Sequence, residues 1–157
     1  MRIDVLTLFP EMFPPVIDSS ILKRAQAAGV ADLKVHNLRD WSEGKHRKVD
    51  DRPYGGGPGM VMMAPPFFEA VAALKDEATD LAKPHVVLLC PQGEQLTQPK
   101  LNSLSAHPWL VLLCGHYEGV DERVRTDLVD EELSIGDYVL TCGELPAMVL
   151  IDGLVRL

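Results

Sequence analysis

Three times along this chain an apolar run ends in a turn carrying glycine: Leu89-Cys90-Pro91-Gln92-Gly93, Leu113-Cys114-Gly115 and Leu140-Thr141-Cys142-Gly143. The first two runs, His85 to Leu89 and Trp109 to Leu113, are apolar almost throughout. That is the mark of a strand buried on both faces, as strands of a parallel sheet are. Ile3 to Phe9 reads as a buried first strand ended by Pro10, Asp32 to Leu38 as a second, and Val139 to Thr141 as the last. Helical spacing lies between them. Ile21, Leu22, Ala25 and Ala28 are stopped by Gly29; Phe67, Ala70, Val71 and Leu74 follow a Pro65-Pro66 opening. Gln98 to Ser105 and Val120 to Leu128 read as shorter helices, and Leu145 to Leu157 as an apolar closing helix. Strands alternating with helices predict an α/β fold with a mostly parallel sheet flanked by helices. In open sheets of this kind ligands sit beyond the carboxyl ends of the strands, so the three turns should wall one small-molecule pocket.

Glycine recurs where that pocket is expected. Gly115, Gly119, Gly136 and Gly143 are interleaved with Glu118, Asp121, Asp137 and Glu144. Lacking Cβ, such residues admit left-handed backbone and let a ligand lie against bare peptide groups; taken singly, each is also an ordinary turn glycine. The polar stretch from Arg39 to Gly59 is too long for a plain connection, and loops of that length are usually functional or mobile. Its Gly55-Gly56-Gly57-Pro58-Gly59 run is not followed by Gly-Lys-Ser/Thr and opens no helix, which excludes a phosphate-binding P-loop there.

At 157 residues the expectation is one domain that buries about 70% of its unfolded surface. No apolar run approaches the roughly 18 residues of a membrane span, and the opening MRIDVLTLFP carries Asp4 in a strand-like segment, unlike a signal peptide. A cytoplasmic protein is expected. Three cysteines, Cys90, Cys114 and Cys142, without C-x-x-C spacing point to reduced thiols, with neither a disulfide framework nor a zinc site. The net charge of −8 speaks against broad electrostatic adhesion to RNA. Cationic residues are nevertheless concentrated: Arg39, Lys45, Arg47, Lys48 and Arg52 are five of the fifteen, while Glu118 to Asp137 is strongly acidic. Any polyanion would have to meet the first region.

The runs CGHYEGVDERV, SIGDYVLTCGELPAMVLIDG and DDRPYGGGPGMVM resemble the signature segments of bacterial tRNA (guanine-N1)-methyltransferases, members of the SPOUT class. The likeness is collinear from Leu8 to the last residue. It implies a C-terminal trefoil knot, an exception to the rule that chains do not thread. It also implies S-adenosylmethionine as cofactor, and methyl transfer to N1 of the guanosine 3′-adjacent to the anticodon of a tRNA, position 37. No membrane partner and no metal for the displacement are implied, and the family is homodimeric, with its active site at the subunit interface.

By the same resemblance, Leu89, Cys90, Pro91, Gly115, Tyr117, Ile135, Gly136, Asp137, Tyr138, Val139, Leu140, Gly143 and Pro146 would hold the cofactor, largely through backbone. Glu118 would face the reacting centre and Arg156 would belong to the active site. Asp50, Arg52, Tyr54, Gly55, Gly57 and Gly59 would lie near the substrate RNA. The family's general base is an aspartate in a linker beyond Leu157, followed by a helical tRNA-binding domain; this chain has neither, so residues 1–157 are expected to be its cofactor-binding domain and catalytically incomplete. The apolar end of the chain, without a polar tail or C-cap, leads to the expectation of a cut chain. Cys142 stands where the family pattern usually has glycine, which would strain the backbone if that position needs positive φ. Two other readings stay open from sequence: a SPOUT enzyme acting on ribose 2′-OH, which would lack the DDRPYGGGPGM run, and a non-catalytic nucleotide- or RNA-binding module.

Overall fold

The computed structural model describes residues 1–157. Five parallel strands form one sheet in the order β2-β1-β6-β5-β7. Strand β1 (Arg2–Thr7) is buried along its whole length between β2 (Asp32–Asn37) and β6 (Trp109–Cys114). Its register pairs Val5 with Val35 on one side and with Leu112 on the other. Helices α1 (Pro14–Ile17) and α2 (Ser20–Ala27) connect β1 to β2. A short antiparallel pair, β3 (Asp50–Asp51) with β4 (Val61–Met62), closes the polar stretch before α3 (Ala64–Glu77). Then follow β5 (His85–Gln95), α4 (Gln98–Leu104), β6, α5 (Glu122–Asp127), β7 (Glu131–Ser134) and α6 (Glu144–Val155).

The period-two alternation of the strands divides the core into two layers. Ile3, Val5, Val87, Leu89, Leu110, Leu112 and Cys114 pack against α6 and the α1–α2 pair. Leu6, Val86, Leu88, Trp109, Val111 and Leu113 pack against the apolar stripe of α3, chiefly Phe67, Ala70, Val71 and Leu74, and against Val124 of α5. The expected α/β fold, a parallel sheet flanked by helices, is the observed one.

Two local expectations are corrected. Val139 to Thr141 is not a strand; the last strand, β7, comes earlier and takes the free edge of β5. So short a segment cannot compete for an edge already occupied, and it stays exposed, Val139 at 79%. The turn after Leu89 is also not a strand end. The β5–β7 ladder pairs Leu89 with Leu133, shifts register across residues 90–93, and resumes at Glu94, again opposite Leu133. Cys90 to Gly93 is therefore a bulge that swells out of a continuing strand, a device that re-aims side chains beside a site. Beyond β7 the chain returns across the carboxyl ends of the strands: the Gly143 amide donates to Gly115 O at 2.8 Å, and α6 then packs beneath β1 and β6.

Candidate functional site

The three glycine-bearing segments converge as the parallel sheet requires. Leu89, Cys90 and Pro91 from the β5 bulge, Gly115 to Glu118 after β6, and Tyr138 to Gly143 before α6 line one cavity of about 410 Å³, with Ile135 and Pro146 completing the wall. Of the residues expected at a cofactor, Gly136 and Asp137 lie outside this lining.

The glycines are required for space more than for backbone conformation. Gly143 has φ −83°, and a Cβ there would meet Gly115 N at 2.7 Å and Cys114 Cα at 2.8 Å. At Gly115 a Cβ would lie 3.1 Å from Leu89 O, a tight contact that the end of β5 would have to yield to by a few tenths of an ångström. A Cβ on Gly136 would meet the tip of the Tyr138 ring, with Cζ at 2.7 Å. Gly119 alone of the four is left-handed, at φ +128°. Cys142 has no positive φ, so the cysteine puts no strain into the turn. The strained residue is Tyr117, at φ +58° beside the cavity, a conformation that costs a bulky residue about 1–3 kcal/mol and collects at functional sites.

One wall is ionic, and the motif reading missed it. Arg125 donates to Glu132 from Nε at 3.1 Å and Nη2 at 3.0 Å, and to Glu122 from Nη1 at 3.1 Å. Cys90 Sγ donates to the same Glu132 at 3.1 Å. Burial works to raise the Glu132 carboxyl, and the bonds from Arg125 and Cys90 outweigh it, holding it below the usual carboxylate range. Burial, with the neighbouring carboxylate, pushes the Cys90 thiol up to about 11. The only signal in the sequence was Arg125 standing within an acid-rich segment. His116 also lines the cavity; its Nδ1 is buried without a partner, and its ring packs 5.2 Å from Phe9 and 4.6 Å from Tyr117.

Glu118 sits at the cavity rim with no side-chain hydrogen bond or ion pair. Across Val120 and Glu122 a second cavity of about 530 Å³ opens, lined by Arg52, Tyr54, Met62, Pro65 and Arg123. Tyr54 is 97% exposed there. Asp50, Gly55, Gly57 and Gly59 belong to the same polar segment but do not line it. Arg156 caps the exposed end of α6 and lines neither cavity. No group of three or more His, Cys, Asp or Glu side chains is placed to hold a metal ion, and no helix is long and apolar enough to cross a membrane.

The fold is an open parallel α/β sheet, with a glycine-walled slot beyond the carboxyl ends of its strands, where ligands sit in folds of this kind. Its family follows from comparison. The family described as tRNA (Guanine-1)-methyltransferase TrmD matches residues 1–157, and the chain belongs to that family. A tRNA (guanine-N(1)-)-methyltransferase of Halalkalibacterium halodurans is 57% identical over 157 residues, which is all of this chain and 63% of that protein. That of Bacillus pumilus is 55% identical over the same span, 64% of its length. The chain thus spans less than two thirds of the curated relatives it matches. The solved tRNA (m1G37) methyltransferase of Aquifex aeolicus superimposes with a TM-score of 0.91 at 38% identity, covering all of this chain and 69% of that one.

Proposed function

We propose that residues 1–157 form the cofactor-binding domain of a cytoplasmic, S-adenosylmethionine-dependent tRNA (guanine-N1)-methyltransferase that acts as a homodimer. The observation that carries this is the convergence of the family's signature runs on one glycine-walled cavity. Its volume lies within the roughly 300–1,000 Å³ of small-molecule sites. The Gly115 amide, bare of any side chain, and the orphaned His116 Nδ1 are suited to a polar nucleoside. The return of the chain from β7 past Gly115 into α6 supports the trefoil threading.

When bound, S-adenosylmethionine supplies an electrophilic methyl group on a cationic sulfur. Backbone at Leu89 to Pro91, Gly115, Tyr117, Ile135 to Leu140, Gly143 and Pro146 holds and orients it. Glu118 offers a carboxylate to the positive charge or to the guanine. Arg156 stabilises negative charge on guanine O6 as N1 loses its proton, and its place outside this chain's own cavity fits a site shared between two subunits. Asp50, Arg52, Tyr54 and the Gly55, Gly57 and Gly59 turn face the RNA beside the second cavity. The base that takes the N1 proton and a helical tRNA-binding domain lie beyond Leu157, so residues 1–157 alone bind cofactor and do not methylate.

The test is a tRNA transcript incubated with the full-length gene product and labelled S-adenosylmethionine, followed by mass spectrometry of nucleosides. N1-methylguanosine is the expected product. A ribose-methylated nucleoside would reassign the enzyme within its class, and binding without transfer would make it a recognition module.

A further inference from the structure

We propose that Gly59 is a positioning residue that fixes the Glu118 carboxylate at the cavity rim; this rests on the methyltransferase reading above. No side chain bonds to Glu118, so its place is set by what it packs against. Gly59 has φ +82°, and a Cβ there would fall on Glu118 Cγ and lie 2.6 Å from Oε1 and 2.9 Å from Cδ. By contrast Gly55 and Gly56, at φ +87° and +83°, have nothing within 4 Å of a Cβ.

The contact is held by a local ladder. The Glu118 amide donates to Met60 O at 3.0 Å, Met62 to Gly119 O at 2.9 Å, and Asp121 to Met62 O at 2.9 Å. Met62 and Val120 form a parallel bridge. The glycine turn is thereby stitched to the segment that carries Glu118, and RNA seated on residues 50–59 bears on the same loop that positions the carboxylate. Because the clash is with a flexible side chain, a methyl group at Gly59 should move Glu118 and leave the fold standing.

Gly59→Ala, Glu118→Ala, their combination, and Gly29→Ala separate contact from backbone strain, since Gly29 has φ +70° with nothing within 4 Å. In the full-length gene product, Gly59→Ala should lower kcat about tenfold to a hundredfold with KM for cofactor changed less than about threefold. Gly29→Ala should stay within about twofold of wild type. In the Glu118→Ala background, Gly59→Ala should add no further loss. An equal loss in both backgrounds, or equal effects of Gly59→Ala and Gly29→Ala, would overturn the proposal. With the same protein free of RNA, the carboxyl carbon resonance of Glu118 should shift in Gly59→Ala and not in Gly29→Ala; an unmoved resonance would also overturn it. A wild-type protein that transfers no methyl group, yet shows the resonance shift, would remove the methyltransferase reading and leave the positioning role intact.

Discussion

The Thr7 hydroxyl donates a 2.6 Å hydrogen bond to Glu144 Oε1, joining the end of the first strand to the first turn of the last helix, 137 residues apart. Both side chains are fully buried, and Glu144 Oε2 has no partner. The same hydroxyl accepts from the Phe9 amide at 2.9 Å. This bond anchors α6 immediately behind the Cys142-Gly143 wall of the cavity. Thr7→Val keeps the shape, leaves the buried Glu144 carboxyl group without a partner and takes the Phe9 amide's acceptor away. It should destabilise the fold by about 2 kcal/mol or more. Urea unfolding at neutral pH checks this, and a midpoint unchanged from wild type would show that the bond contributes nothing.

Gly143 and Gly136 should respond differently to the same methyl group. At Gly143 the obstacle is backbone, Gly115 N and Cys114 Cα, which cannot yield without opening the site. Gly143→Ala should therefore weaken S-adenosylmethionine binding by about tenfold or more, and Gly143→Val should abolish it. At Gly136 the obstacle is the Tyr138 ring, half exposed and free to turn, so Gly136→Ala should cost less than about threefold. Calorimetric titration of both alanine variants decides between this ranking and its reverse.

Acid should weaken the sheet at the buried Asp4. Burial works to raise the Asp4 carboxyl, but hydrogen bonds from His36, Arg2 and Trp109 outweigh it and hold it below the usual carboxylate range. A folded-state pKa that is depressed contributes stability above the unfolded value of about 3.9, and that contribution is lost as pH falls through the lower folded value. Asp4→Asn removes the charge that pairs with the buried Arg2 guanidinium and should cost about 3 kcal/mol at pH 7. The gap between variant and wild type should then narrow below pH of about 4. Thermal unfolding from pH 7 to pH 2 tests both statements; a gap constant throughout would exclude Asp4 as the titrating group.

Cys90 lines the cavity, yet its thiol, pushed up to about 11, stays protonated at neutral pH. Alkylation at pH 7.5 should be about a hundredfold slower than at an ordinary exposed cysteine of pKa about 8.5. Peptide mass spectrometry after timed iodoacetamide treatment measures this, and Glu132→Gln should speed the reaction by removing the carboxylate that holds the proton.

The chain's own pattern determined a great deal. Runs such as Val86 to Leu89 and Trp109 to Leu113 read as strands, because burial on both faces demands continuous apolar sequence, and the Phe67-Ala70-Val71-Leu74 spacing reads as a helix face. The glycine turns that follow apolar runs marked the segments that meet at the cavity. Tertiary structure alone decided what depends on residues distant in sequence. Val139 lost its place in the sheet because Glu131 to Ser134 had already taken the edge of β5. Gly143 is glycine because Cys114 and Gly115 of another segment pass within 3 Å of where its Cβ would be. The pairings of Thr7 with Glu144 and of Gly59 with Glu118 have no local signature at all. Local periodicity reports how one segment meets solvent or core; contacts between segments arise when the sheet order brings them together, and only the packed chain contains that information.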